Sequence, residues 1–201
     1  MLTCTRCTMA DNPKILAFAG SLRTDSFNKK LVQIAATGAR RSGADVTYID
    51  LRDLPLPLFD QDLEAREGLP GNARKLKDLF LAHRGLLIAS PEYNSSISAA
   101  LKNAIDWVSR PVPGESPLQC FDGKVCGLLS ASPGALGGLR GLVHVRSILG
   151  NIKVLIIPEQ VTVPKAGDAF TAEGSLKDAA VQKNVEQIGA RVTEMVRRLN
   201  A

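Results

Sequence analysis

Ser21, Arg23, Ser26 and Asn28 crowd one short segment, Gly20-Ser21-Leu22-Arg23-Thr24-Asp25-Ser26-Phe27-Asn28. Three of these side chains can donate hydrogen bonds, and the fourth carries a permanent cation with a fork of donors. An apolar run, Ile15 to Ala19, precedes the segment, and a helical pattern follows from near Ser26. A strand, a short polar turn and a helix start are the parts of a phosphate site. The first N–H groups of the helix lack internal partners, and the helix dipole adds partial positive charge there. The plain alternative is Ser26 as a simple N-cap and Arg23 as a solvated charge.

Two further polar loops follow apolar, β-prone runs. One is Pro91-Glu92-Tyr93-Asn94-Ser95-Ser96, with an aromatic ring, a rigid proline and amides. The other runs from Ser130 to Gly138, where the glycines leave backbone N–H groups unobstructed. Glu92 is left open between a site role and a solvated loop carboxylate. Arg140 is left open between a ligand phosphate and plain surface.

For these loops to meet, a scaffold must align them. Five short apolar runs read as strands: Lys14–Ala19, Asp45–Asp50, Gly85–Ser90, Lys124–Ser130 and Lys153–Ile157. Their near-continuous apolar character suits strands covered on both faces. Helical stripes alternate with them. They cover Asn28–Arg41, Asn72–His83 with Asn72 as N-cap, Ile97–Ser109, Leu139–Leu149 and Ser175–Leu199, where Ser175 and Asp178 resemble a capping box. Such alternation predicts an α/β fold, a three-layer sandwich around a parallel sheet of flavodoxin-like order 2-1-3-4-5. Its ligand crevice lies at the carboxyl ends of strands 1, 3 and 4. The stretch Leu51–Gly71, with Pro55, Pro57 and Pro70, is long and irregular, as a lid, binding loop or subunit contact would be. Residues 1–12 read as a flexible extension and 13–201 as one domain.

A phosphate at one end of the crevice and a flat, hydrogen-bonding heterocycle at the other describe flavin mononucleotide (FMN). A dinucleotide fits less well, because no G-x-G-x-x-G follows the first strand. Asp50 is a weak ribose cue. There is no G-x-x-x-x-G-K-[ST], and neither His83 nor His144 lies in these loops, so an NTPase or a serine hydrolase is disfavoured.

The ordered motifs make the chain similar to the NADPH-dependent FMN reductases of the flavodoxin-like superfamily, which include soluble quinone, chromate and azo-dye reductases. The matching segments are Gly20-Ser21-Leu22-Arg23 with Ser26 and Asn28, then Pro91-Glu92-Tyr93-Asn94, Leu101-Lys102-Asn103-Ala104-Ile105-Asp106-Trp107 and Ser132-Pro133-Gly134. The resemblance implies that Ser21, Arg23, Ser26 and Asn28 hold the FMN phosphate. It implies that Pro91, Glu92, Tyr93 and Asn94 line the ring, with Ser130, Ser132, Gly134 and Gly137 on its other side. NADPH, or NADH, would be co-substrate and a small molecule the acceptor, with a homodimer or homotetramer as the assembly. Many relatives carry Gly and Pro where this chain has Ser95 and Ser98. Trp107 reads as core or interface packing rather than as a flavin stacker. Lys102, Asn103 and Asp106 read as anchors of their helix to nearby loops.

The 201-residue chain carries a net charge of +5 and a pI near 9.2, which suits anionic small ligands. Its basic residues are dispersed, so nucleic-acid binding is not indicated. No stretch reads as a membrane span or a secretory signal, which points to the cytoplasm. Cys4 and Cys7 form a lone C-x-x-C that reads as incidental, and no metal is expected. The competing class is a flavodoxin-type electron carrier that binds FMN without NADPH activity. A flavin-binding regulator and an iron–sulfur flavoprotein are further rivals. Carriers tend to be acidic, opposite to the charge here.

Overall fold

The structure is a computed structural model and describes residues 12–199. The Cys4/Cys7 pair and the extension to residue 11 lie outside the described residues. Five parallel strands form one sheet in the order β2-β1-β3-β4-β5. They are β1 (Lys14–Ala19), β2 (Asp45–Ile49), β3 (Gly85–Ala89), β4 (Val125–Ala131) and β5 (Leu155–Val163). The helices are α1 (Phe27–Arg41), α2 (Gln61–Glu67), α3 (Gly71–Ala82), α4 (Ala99–Val108), α5 (Leu139–Asn151), α6 (Ala166–Ala169) and α7 (Ala179–Leu199).

Alternation along β1 builds both cores. Ile15, Ala17 and Ala19 pack toward α1 and α7, while Leu16 and Phe18 pack toward α3, α4 and α5. Successive strand residues point to opposite faces, so a doubly covered strand has no polar side to present. Burying these faces is the main driving force for folding.

The α1/α7 contact is unusually close. A Cβ on Gly38 would overlap the Glu186 carbonyl, and one on Gly189 would overlap the Ala35 carbonyl. The two helices therefore meet backbone to backbone. Gly20 has a similar role at the end of β1, where a Cβ would come 2.8 Å from Leu101 Cβ on α4.

Several boundaries differ from the expectation. β5 continues past Ile157 to Val163 because its register against β4 shifts between Cys126 and Leu128. Pro158, which has no N–H to donate, sits in that irregularity. Asn72 is not a cap. Pro70 holds the N-cap position of α3, and Asn72 Nδ2 donates 3.0 Å to the Pro55 carbonyl. Helix α7 starts at Ala179 rather than Ser175, because Asp178 Oδ1 takes the N–H groups of Ala180 and Val181 at 2.8 and 3.1 Å. Ser175 instead belongs to a turn that pairs Phe170 with Leu176.

The 51–71 stretch is partly ordered into a 3-10 turn at Leu51–Asp53 and helix α2. It is also tied down. The Pro57 carbonyl accepts Trp107 Nε1 at 2.8 Å and Asn103 Nδ2 at 2.9 Å, and Asn103 Oδ1 accepts the Phe59 N–H at 2.8 Å. Trp107 is fully buried, with Phe59 edge-on at 5.0 Å, so its packing role holds. Among its helix neighbours, Asn103 is the loop anchor, whereas Lys102 and Asp106 pair with each other at 2.8 Å. No described helix is long and apolar enough to cross a membrane.

Candidate active site

Strand register aligns the loops. Ala19 pairs with Ala89, and Ala89 with Leu129, so β1, β3 and β4 end level. The Gly20 N–H closes on the Ala89 carbonyl at 2.9 Å, and the Ser90 N–H on the Leu129 carbonyl at 2.9 Å. Ser130 Oγ donates 2.6 Å to the Ser90 carbonyl and is fully buried. Ser130 thus stitches the two strand ends together.

The first loop ends at an uncapped helix. Ser26 occupies the N-cap position of α1 but makes no side-chain cap bond. Lys30 is the first residue of α1 whose N–H closes a backbone turn, on the Ser26 carbonyl at 3.2 Å. The N–H groups of Phe27, Asn28 and Lys29 have no acceptor among the described residues. Ser21 is buried, and its Oγ accepts the Arg23 N–H at 3.3 Å, folding the turn back on itself. Arg23 is exposed, with its guanidinium 6.0 Å from the Phe27 ring centroid. A cleft lined by Gly20, Ser21, Leu22, Arg23, Tyr93, Ser98, Ala99 and Ala100 joins this loop to the second one.

Asn28 faces elsewhere. Its Nδ2 donates 2.9 Å to the Ala131 carbonyl, and its Oδ1 accepts the Ala131 N–H at 3.0 Å. This buried two-point strut fixes the start of α1 against the end of β4.

In the second loop, Tyr93 and Ser96 exchange both backbone hydrogen bonds at 3.0 Å across a tight turn. Asn94 and Ser95 both take positive φ, +50° and +65°. Tyr93 is thereby left about half exposed on the cleft wall. Glu92 is not a solvated carboxylate. Its side chain is 8 % exposed, one oxygen takes Arg140 Nε and Nη2 at 2.9 and 2.6 Å, and the other takes the Gly141 N–H at 3.0 Å. Burial by itself would raise the Glu92 pKa, but the Gly141 N–H and the Arg140 guanidinium outweigh it and hold the carboxyl below its usual range. The same contacts engage Arg140, which was left open between ligand and surface.

The third loop turns through Gly137 (φ +60°) and Gly138 (φ +93°). A Cβ on Gly138 would overlap Ser130 Oγ, and one on Gly137 would lie 2.8 Å from Pro164 N. The Gly134 N–H reaches Ser132 Oγ at 3.3 Å. Ser98 also belongs to this assembly, though its role was not anticipated. Its Oγ accepts the Leu101 N–H at 3.1 Å, caps α4 and donates to the Gly20 carbonyl. A serine just before an apolar helical stripe was the available signal.

The donor set fits FMN. Open α1 N–H groups, the Ser21 and Ser26 hydroxyls and Arg23 suit a phosphate dianion. The half-exposed Tyr93 and the open side of Gly134, where a Cβ would meet only Ser132 Oγ at 3.7 Å, leave room for a flat ring. Among the described residues, no group of three His, Cys, Asp or Glu side chains could hold a metal ion.

Sheet order and crevice together define a flavodoxin-like nucleotide-phosphate protein. Residues 13–168 match the family model described as NADPH-dependent FMN reductase. An NAD(P)H-dependent FMN reductase of Pseudomonas aeruginosa is 37 % identical over 193 residues, covering 95 % of this chain and 99 % of that one. An NADPH:quinone oxidoreductase of Arabidopsis thaliana is 34 % identical over 180 residues, with 87 % of each chain covered. Among solved structures, the flavoenzyme NAD(P)H:(acceptor) oxidoreductase FerB of Paracoccus denitrificans superimposes with a TM-score of 0.75 at 26 % identity, over 92 % of this chain and 98 % of that one. The chain belongs to the NADPH-dependent FMN reductase family, with FMN as cofactor and NAD(P)H as co-substrate.

Proposed function

We propose that this protein is a two-substrate oxidoreductase that oxidises NADPH and reduces a quinone, using FMN held at the carboxyl ends of β1, β3 and β4. The observation that carries the reading is the uncapped start of α1, which follows directly on the loop whose Arg23 lines a cleft with Tyr93. Bound FMN supplies two-electron chemistry, so that NADPH, a proton and a quinone become NADP⁺ and a hydroquinone.

The protein's part is binding and placement. Ser21, Arg23 and Ser26, with the first N–H groups of α1, take the phosphate. Asn28 acts there by fixing the helix start. Pro91, Glu92, Tyr93 and Asn94 form one wall of the ring site, with Glu92 clamping that wall to α5. Ser132, Gly134 and Gly137 form the opposite wall, and Ser130 holds the two strand ends level. A quinone is favoured as acceptor because the similar Arabidopsis protein is named for that activity. Chromate, azo dyes and free flavin are alternatives that need only access to the ring. The working protein is one domain over residues 13–201, a homodimer or homotetramer in the cytoplasm, without a nucleic-acid partner.

The test is anaerobic. The FMN-loaded protein is mixed with NADPH while flavin absorbance is followed. Rapid bleaching, reversed by a quinone and accompanied by parallel double-reciprocal lines, is expected. FMN that binds but stays oxidised would instead indicate an electron carrier. Arg23→Ala should weaken FMN about tenfold or more while leaving riboflavin, which lacks the phosphate, unaffected.

A further inference from the structure

Beside the FMN cleft lies a second pocket of about 300 Å³. It is set between the 3-10 turn, the first loop and α4. Its walls are mainly aliphatic: Leu22, Leu54, Leu56, Ala100 and Ala104. Leu22 and Ala100 are shared with the FMN cleft, so the two spaces adjoin. The volume is at the small end for ligand sites, with room for one heterocycle but not for a whole dinucleotide.

Two polar side chains line it, Arg52 and Asn103. Asn103 is engaged at both ends by the 57–59 backbone. Arg52 is exposed, and its Nη1 donates 2.6 Å to Thr24 Oγ1. Its other guanidinium N–H groups have no partner among the described residues. Arg52 does not line the FMN cleft, where Arg23 stands. The other cations close to these loops are engaged: Arg140 by Glu92, Lys30 by Asp25 and Lys102 by Asp106. Asp50, the group at the end of β2 that could take a ribose hydroxyl, is held by Lys29 at 2.6 Å and by the Arg52 N–H at 3.0 Å.

NADPH differs from NADH by one phosphate on the adenosine 2′-oxygen. Discrimination needs a fixed fork of donors next to an apolar seat for the adenine, adjoining the cofactor cleft without competing for the FMN phosphate. We propose that this pocket seats the adenosine end of NADPH and that Arg52 binds its 2′-phosphate, setting the preference for NADPH over NADH. The proposal rests on the reading of the neighbouring cleft as an NAD(P)H-dependent FMN site.

The test uses FMN-saturated protein, with adenosine 2′,5′-bisphosphate and 5′-AMP as probes in titration calorimetry. The wild type should bind the bisphosphate about tenfold or more tightly than AMP, as expected for a charge-assisted pair. Arg52→Ala should bring the two to parity, and Arg52→Lys should restore part of the difference. In steady state, Arg52→Ala should lower kcat/KM for NADPH by a similar factor, leaving NADH and the FMN dissociation constant unchanged. Equal losses for both nucleotides, a weakened FMN affinity, or an indifferent Arg52→Ala would each overturn the assignment. Failure of the wild type to bind FMN would overturn the underlying reading of the cleft instead.

Discussion

Replacing Asn28 by alanine tests whether this residue is a strut or a phosphate ligand. In the structure its amide satisfies both the N–H and the carbonyl of Ala131 at 3.0 and 2.9 Å. Both residues are at least 96 % buried, so bulk water has no ready route to replace the amide. Orphaning a buried backbone donor or acceptor costs about 1–3 kcal/mol each, which gives roughly 2–4 kcal/mol for the pair after relaxation. For a domain of this size that corresponds to a fall in Tm of about 5–12 °C. Urea unfolding of the FMN-free protein, followed by far-ultraviolet circular dichroism, reads the loss directly. Asn28→Asp should recover part of it, because a carboxylate can still accept the Ala131 N–H but cannot donate to the carbonyl. A change below about 0.5 kcal/mol at unchanged slope would refute the strut, most plainly if FMN affinity fell at the same time.

Two further outcomes concern backbone strain and a buried cation. Ser95 holds φ at +65°, a region that costs a residue with a Cβ about 1–2 kcal/mol, so Ser95→Gly should raise stability by about 0.5–1 kcal/mol in thermal melts. A lower Tm would mean that the serine side chain itself holds the turn. Lys124 is 2 % exposed, with its Nζ donating to the His83 carbonyl. Burial first, and Arg84 second, push its pKa down to about 8 from an ordinary 10.5. Between those values the unfolded chain binds the proton and the native protein does not. Stability should therefore rise with pH through that window, and Lys124→Met should flatten the rise. Urea midpoints from pH 7 to pH 10 provide the check.

What could be read without coordinates divides along physical lines. Strand β1 and helix α1 announce themselves because both bury one continuous pattern, and the loop read as a phosphate site lies between them with its polar residues close together in sequence. Helix α2 gives no such signal. It buries none of its residues and depends on the Asp60 cap and the Glu64–Arg110 pair at 2.9 Å. The end of β5 was hidden by Pro158, which normally argues against a strand. The pairing of Asn28 with Ala131 is not legible locally, because that partner lies 103 residues away. Glu92 shows the same limit, since its Arg140 and Gly141 contacts are long-range pairings that local pattern does not encode.

The glycine contact between α1 and α7 ties the first loop to a helix far along the chain. Helix α1, whose start follows that loop, rests through Gly38 and Gly189 on the backbone of α7. Without α7, the α1 residues Ala35 and Ala39, which share a core with Val185, Ile188 and Val192, would lose their cover. The position of the start of α1 is therefore set in part by a helix distant in sequence, and a change that moves α7 would disturb the loop without touching it.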